Sequence, residues 1–391
     1  MYWVSRLPGS FPSAPGEKAS GNIALIDRSF KMPQVWRSNL GIDYRIPSTP
    51  LTVTADVIFS KDLVGVYQFN ANRKAATDQL NFENDDRDLW ESPDDARYNK
   101  EIGSIIPVLS NTGKGYSFAS TIGISMAETQ GLYGSVFYTY SNAMDVTGNP
   151  GSAANSAWSN NYSVNDPNEL LLGFSQYAIP HRLIANLSYK IQNTTFSLFY
   201  SGSSQGRFAY TYSNDINRDN VTLDLLYIPN NINAMRFEDI EDDGMVLFTA
   251  EQQRKAFNDF VNNNNLAMYK GTYVERNNGL LPWLHRFDAR FLQDILIKTR
   301  NKTHVLQLSL DIMNIGNLLN SEWGVLQELN LNNNFAYSLL KVADIDANGV
   351  PTFQMNTVNQ DGQAVLPTTP FRNRFSSSST WGMQFGVRYS F

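Results

Sequence analysis

Residues 381–391, the last of the chain, alternate strictly between apolar and small or polar side chains. One face of this segment would carry Trp381, Met383, Phe385, Val387, Tyr389 and Phe391. A period of two is that of a β-strand. An aromatic-rich strand at the end of a soluble chain would expose an apolar edge and invite aggregation. In an outer-membrane β-barrel, by contrast, one face meets lipid and the other the lumen, so this ending predicts a barrel strand.

Composition excludes several other classes of protein. No run of about 18 apolar residues occurs, which excludes an ordinary transmembrane helix. The absence of Cys removes disulfides, thiolate metal sites and a cysteine nucleophile. With a formal net charge of −6 and no basic block, nucleic-acid binding is not expected.

Segments of period two recur along the chain and predict about eleven antiparallel strands. Short turns and long polar stretches alternate between them, as in up-and-down membrane barrels, where short turns face the periplasm and long loops the exterior. One pair flanks Asn348-Gly349, a strong hairpin signal, which predicts a periplasmic turn. The predicted strands cover residues 36–46, 51–59, 116–126, 132–140, 181–190, 196–212, 283–297, 304–315, 335–342, 351–356 and 381–391.

An odd number of strands does not close a bacterial single-chain barrel, which is normally even-numbered. Residues 1–31 are rich in Pro, Gly and Ser and are expected to form an extracellular loop segment. Residues 32–391 are then the C-terminal portion of a transmembrane barrel of about 22 strands. The first residues, Met1–Arg6, lack the features of a signal peptide, so we expect further sequence upstream.

Several stretches resemble the Oar-like TonB-dependent receptors, relatives of the SusC/RagA outer-membrane transporters. The resemblance extends over essentially the whole chain and rests on the order and spacing of several motifs. It is carried by residues 21–27, 30–41, 59–63, 224–229 (DLLYIP), 269–277 (YKGTYVERN), 311–324 (DIMNIGNLLNSEWG) and the terminal strand.

The resemblance implies a 22-stranded barrel in the outer membrane of a Gram-negative bacterium, closed by a plug and driven by TonB. It implies import of a bulky nutrient, namely a peptide, a glycan or a metal chelate. Expected partners are outer-membrane lipid, TonB and a plug through an N-terminal part, and a surface lipoprotein. The alternative function is a structural barrel for adhesion or for assembly of a surface complex.

Acidic loop residues are the candidate metal ligands. Asp215, Asn217 and Asp219, with Asp224 beyond them, have the D-x-N-x-D opening of a calcium loop. Asn220 and Leu226 stand where such a loop has Gly and Glu. Residues 81–100 also hold many carboxylates, which could bind Ca²⁺ through oxygen ligands or form a solvated acidic loop. Both readings stay open for both loops.

A helix is predicted within the longest loop. Thr249 followed by Gln252 forms a capping box, and Ala256, Phe257, Phe260 and Val261 would form an apolar stripe that packs on neighbouring loops. His181, His285 and His304 are expected at the rims of the barrel. Because no hydrolase, nucleotide-binding or metalloprotease motif accompanies these histidines, the chain is not expected to be an enzyme.

Overall fold

The computed structural model describes residues 23–300, 302–333 and 336–391. Its main feature is a twelve-stranded sheet in which long antiparallel strands follow one another in chain order. We call the nine long strands the wall. They are β1 (Gln34–Arg45), β2 (Leu51–Asn70), β3 (Tyr116–Thr129), β4 (Leu132–Asp145), β5 (His181–Ile191), β6 (Thr194–Ser204), β7 (Trp283–Lys298), β8 (Thr303–Met313) and β9 (Gly382–Ser390). Leu25–Ile26, Pro107–Thr112 and Gly173–Phe174 complete the sheet.

The register of the wall separates two chemically different faces. One cross-strand row over β5 to β9 is apolar and consists of Leu187, Leu198, Ala289, Ile312 and Met383. The adjacent row on the opposite face is polar and consists of Ser188, Ser197, Arg290, Asp311 and Gln384. The predicted all-β, antiparallel up-and-down class and the alternation of the two faces are therefore confirmed.

The predicted strand pair at 335–342 and 351–356 does not belong to the wall. β8 pairs directly with β9, and the pair lies instead in a separate six-stranded sheet as Ala336–Ile345 and Pro351–Met355. Residue 335 lies outside the described residues. The turn at Asn348-Gly349 is likewise placed among the long loops, since the backbone N–H of Asn81 donates to the Gly349 carbonyl at 2.9 Å. Its predicted periplasmic position is therefore wrong.

The long loops of the wall fold together into a second body, which we call the cap. It comprises residues 71–106, 146–180, 205–282, 314–333 and 336–381. Its six-stranded sheet has the order Arg236–Phe237, Pro351–Met355, Ala336–Ile345, Arg207–Tyr212 and Gly279–Leu280, with Asn332–Asn333 beside Ala336–Ile345. The other cap strands are Asp78–Gln79, Asp88–Leu89, Tyr227–Ile228, Ile240–Asp242, Met245–Phe248, Thr272–Tyr273, Leu326–Leu329, Val358–Gln360, Gln363–Val365 and Phe371–Arg374.

The cap holds three α-helices among the described residues, where the sequence predicted one. They are α1 (Ala154–Ser159), α2 (Ala250–Asn263) and α3 (Ile315–Leu319), and two single 3₁₀ turns occur at Ile232–Ala234 and Ala267–Tyr269. Helix α2 is the predicted helix, and its capping box is formed. The backbone N–H of Gln252 donates to Thr249 Oγ1, and the backbone N–H of Thr249 donates to Gln252 Oε1. No helix in the described part of the chain is long and apolar enough to cross a membrane.

The hydrophobic core of the described residues lies in the cap. Phe257, Phe260 and Val261 of α2 are fully buried, as the predicted apolar stripe requires. Phe260 stacks on Tyr337 with ring centroids 5.6 Å apart. The wall has no comparable core, because its apolar face is largely exposed. The cap is thus a packed domain supported at one end of the wall.

Strand β2 connects the two bodies. Along one edge it pairs first with β3, from Leu51 opposite Met126 to Lys61 opposite Tyr116. It then pairs with Pro107–Thr112 without a change of register. The result is a two-stranded ribbon that runs from the short-turn end of the wall to the first cap loop.

Residues 1–22 of the predicted loop segment 1–31 lie outside the described residues. The rest of that segment includes Leu25–Ile26, which pairs in parallel with Val108 and Leu109.

Candidate functional site

A cleft of ≈ 540 Å³ lies in the cap, where the end of helix α2 faces residues 274–280. Aromatic rings and polar side chains share its lining, among them Phe208, Tyr210, Tyr269, Glu275, Asn278 and Phe371. The side-chain amide of Asn278 donates a hydrogen bond to the Tyr269 hydroxyl, which fixes both groups in the lining of the cleft. Aromatic faces with a few oriented amide and carboxylate groups are typical of sites for polar organic ligands.

The cap also contains a buried charged network, centred on two arginines. The side chain of Arg73 is 2% exposed and lies 4.0 Å above the ring of Trp90. Its Nη2 is 3.1 Å from Asp219 Oδ2, and its Nη1 donates to the Asp219 carbonyl. A cation stacked on an indole and paired with a carboxylate is strongly held in a water-poor interior.

Arg87 forms the second centre and is completely buried. Its Nε donates to Asp85 Oδ1 at 2.9 Å, and its Nη2 donates to the Leu225 carbonyl at 3.1 Å. The guanidinium lies 5.1 Å from the centre of the Tyr212 ring and 5.2 Å from that of Tyr273. Burial alone would lower the pKa of Arg87, but Asp85 and its other neighbours outweigh this effect and raise it. Arg87 is therefore a permanent cation within the cap.

The four predicted metal ligands lie in one turn beside Arg73. Asp215 accepts hydrogen bonds from the amides of Asp219 (3.0 Å) and Asn220 (2.6 Å). Asn217 Oδ1 accepts from the Asp219 amide at 3.3 Å, and Asp224 Oδ2 accepts from the Ile216 amide at 3.3 Å. The structure thus brings the four side chains together, but it uses them mainly to hold the turn.

These carboxyls lie among more negative than positive groups. Burial raises the pKa of Asp219 to about 7, with Arg73 opposing and Asp215 reinforcing the rise. Burial also raises the pKa of Asp215 and, far more, that of Asp224. Asp224 Oδ1 is buried without a hydrogen-bond partner among the described residues. A neutral carboxyl is the cheaper form at such a position, because an unpaired buried charge is strongly unfavourable.

No cluster of three or more His, Asp or Glu arranged to hold a metal occurs in residues 23–300, 302–333 and 336–391. Asp219 is paired with Arg73 instead. In the acidic loop 81–100, ion pairs join Asp85 to Arg87, Asp94 to Arg97 and Asp95 to Lys100. Calcium binding at either loop stays a prediction.

The three histidines lie at strand ends on the apolar face of the wall, each beside a tyrosine hydroxyl. This is the rim position that the sequence predicted.

Sequence reasoning did not find the two buried arginines, since Arg73 and Arg87 occur in polar or acidic stretches that read as solvated loop. Their main partners are up to 146 residues away in the sequence. The nearby aromatic Trp90 was a local signal that the segment packs inside the cap.

No protein-family model matches the chain, and no curated protein matches it. Among solved structures, the outer membrane transporter YddB from Escherichia coli is similar, with a TM-score of 0.40 and 10% sequence identity. The alignment covers 95% of this chain and 35% of the transporter, so the chain spans about a third of its length. At this TM-score the similarity supports no conclusion about function.

Proposed function

We propose that the chain is part of an outer-membrane transporter that imports a bulky nutrient with energy supplied through TonB. The observation that carries the proposal is the two-faced wall. Its apolar rows fit lipid. Its opposite rows carry ion pairs such as Arg290 with Asp311, which are tolerated only where they meet water or a polar plug. An arginine at the lipid midplane would cost about 2–4 kcal/mol, so the polar face belongs to a lumen.

The cap supplies the recognition element of this proposal. Loops on a rigid scaffold commonly bind ligands, and the cleft at Tyr269 and Asn278 has the mixed lining of a site for a glycan or a peptide. Import, the peptide, glycan or metal-chelate cargo, TonB, a plug and a surface lipoprotein are all parts of the proposal. So are the Gram-negative outer membrane as location and the absence of enzymatic activity.

Uptake in cells tests the proposal. Fluorescent oligosaccharides, oligopeptides and ferric chelates would be offered to cells that produce the full-length protein, with and without TonB. We expect TonB-dependent uptake of one class, lost in Asn278→Trp because an indole would fill the cleft. Gln363→Trp, on an exposed cap strand, is the matched control and should retain uptake.

The opposite outcome would favour the structural alternative. If none of the three classes enters in a TonB-dependent manner, and cells lose surface attachment when the cap is altered, the protein is an adhesion or assembly barrel. Deleting residues 213–282 would not separate the two functions, because Phe257 and Phe260 in that segment belong to the core of the cap. Point substitutions in the cleft are therefore required.

A further inference from the structure

The chain has three histidines, and each forms the same contact on the apolar face. The Tyr138 hydroxyl lies 2.7 Å from His181 Nδ1, and the Tyr200 hydroxyl lies 2.8 Å from His285 Nδ1. The Tyr389 hydroxyl lies 2.8 Å from His304 Nδ1. When the hydroxyl donates to Nδ1, the neutral imidazole carries its proton on Nε2. Each pair then offers an N–H donor next to apolar surface.

The pairs lie at the two ends of the apolar face. His304 is opposite Ile297 in the register of β7 and β8. From His285 to Ile297 the strand rises roughly 40 Å at about 3.4 Å per residue. With the usual barrel tilt of about 45°, this is roughly 29 Å along the membrane normal, slightly more than the apolar band of about 25 Å. The imidazoles therefore fall at the level of lipid headgroups.

A groove of ≈ 690 Å³ crosses the apolar face below one of these pairs. Its lining includes Ile124, Val136, Ala185, Leu187, Leu198 and Phe287, and Tyr200 and His285 line it as well. The pair of Tyr138 and His181 lies outside the groove, since Tyr138 is three strands from His285 in the cross-strand row of Tyr138, Leu183, Gly202 and His285. The groove is apolar along its length and has the imidazole of His285 at its cap end.

His304 differs from the other two histidines. Its Nε2 already faces Thr299 Oγ1 at 3.5 Å, and it lines no part of the groove. Among the described residues no hydrogen bond occupies Nε2 of His181 or His285. At the groove, Nε2 of His285 is thus unoccupied, and His304 provides an internal comparison.

We propose that this groove binds one phosphate-bearing membrane lipid, with an acyl chain along the groove and the headgroup phosphate accepting a hydrogen bond from His285. A phosphate oxygen complements an imidazole N–H, and an apolar trough complements a chain of methylenes. The inference rests on the proposed membrane location of the wall. It adds a lipid site at a defined position to a surface that would otherwise be in general contact with the bilayer.

Labelling with [¹⁵N]histidine tests this proposal, because three residues give three assignable imidazoles. The full chain would be reconstituted in phosphatidylglycerol bilayers and ³¹P-induced dephasing of the imidazole nitrogens measured by solid-state NMR. We expect strong dephasing of Nε2 in His285 and weak dephasing in His304. Tyr200→Phe should reduce the effect at His285 because the ring loses the hydroxyl that orients it.

The groove itself is tested by Ile124→Trp, which fills it at a position three strands away from Tyr200, the partner of His285. We expect loss of the phospholipid retained after detergent extraction, measured as bound phosphate, and retention in the matched control Val387→Trp on the same face. Equal dephasing of all three histidines, or none, would overturn the site. Protection of the strands from protease reports membrane insertion. A wall that inserts but shows no phosphate contact at His285 refutes this lipid site alone. A wall that fails to insert refutes the transporter proposal as well.

Discussion

Raising the pH from 5 to 8 should loosen the turn at residues 215–224 in the cap. Asp219 is the main titrating group, with a pKa of about 7 in the folded chain against an ordinary value of 3.8. The folded state therefore holds a proton that the unfolded segment has released. Because the folded state binds more protons over this range, its stability falls as the pH rises towards 7 and levels off above it.

The magnitude follows from the two pKa values. For a single carboxyl whose pKa rises from 3.8 to about 7, the opening equilibrium shifts by roughly 90-fold between pH 5 and pH 8, or about 3 kcal/mol. The pKa values of Asp215 and Asp224 are also raised, which adds to the pH dependence of the opening equilibrium. Replacing Asp219 by Asn should remove the contribution of about one proton to the pH dependence of stability. The carboxamide retains the oxygen that accepts from the Val221 amide, at 2.7 Å in the parent chain.

Amide hydrogen exchange with peptide-level mass spectrometry is the appropriate assay, since it reports local opening without requiring the wall to unfold. Protection of residues 215–224, corrected for the intrinsic exchange rate, should fall from pH 5 to pH 8 in the parent and fall less in Asp219→Asn. Asp346→Asn is the control. Hydrogen bonds from the Val350 amide and from Arg236 lower the pKa of Asp346, so its stabilising effect is constant from pH 5 to 8 and is lost only in more acidic solution.

Protection that is constant or increases with pH in the parent chain would refute the reasoning. The three carboxyls would then be ionised at pH 5, and the network would need a further cation. Repeating the series with excess Ca²⁺ distinguishes the two states, because a bound ion favours the ionised carboxyls and would reverse the slope.

The remaining predictions concern the wall, the core and the candidate calcium loop. Leu308→Arg, on the apolar face, should impair membrane insertion by about 2–4 kcal/mol, while Gln307→Arg should be tolerated. In heat-modifiable gel mobility, the reverse result would mean that the faces are interchanged, and equal mobility would refute the two-faced wall. Phe260→Ala should destabilise the cap by about 3–5 kcal/mol in a denaturant titration, whereas Phe375→Ala, at a ring that is 63% exposed, should have little effect. If calcium binds, calorimetry should detect Ca²⁺ uptake that Asp215→Ala abolishes, and no heat in the parent chain would exclude it.

The sequence predicted the wall well because a strand with lipid on one side and polar groups on the other must alternate. The register of β8 and β9 places Leu308 opposite Val387, with both on the predicted outer face. Alternation is a local property, so no distant contact is needed to infer it. The same reasoning located α2, whose capping box and apolar stripe lie within a few residues of each other.

The cap could not be predicted in the same way. Assigning Ala336–Ile345 and Pro351–Met355 to the wall adds two strands at once, and the alternation of short turns with long loops is unchanged by a pair. A check on whether short turns and long loops alternate therefore cannot detect this error. What places the pair in the cap is the parallel contact with residues 209–212, more than a hundred positions earlier in the chain.

The site residues show the same limit. Asp215, Asn217 and Asp219 were recognised by their spacing, yet spacing gives no information on Arg73, which reaches Asp219 across 146 residues of sequence. A buried arginine changes the chemistry of a carboxylate cluster from metal binding towards ion pairing. Only the tertiary structure supplies that partner.

The ribbon formed by β2, β3 and Pro107–Thr112 has a mechanical consequence. Because its hydrogen-bond register continues from the wall into the cap, bending at this junction would break a ladder of backbone hydrogen bonds all at once. A second ribbon crosses in the same way, because Arg207 and Phe208 of the cap pair with Leu280 and Gly279 in the register that Ser204 and Trp283 have in the wall. Two ribbons therefore join the cap to the wall, so a cap that opens to admit cargo would have to break backbone pairing in one of them while it bends about the other.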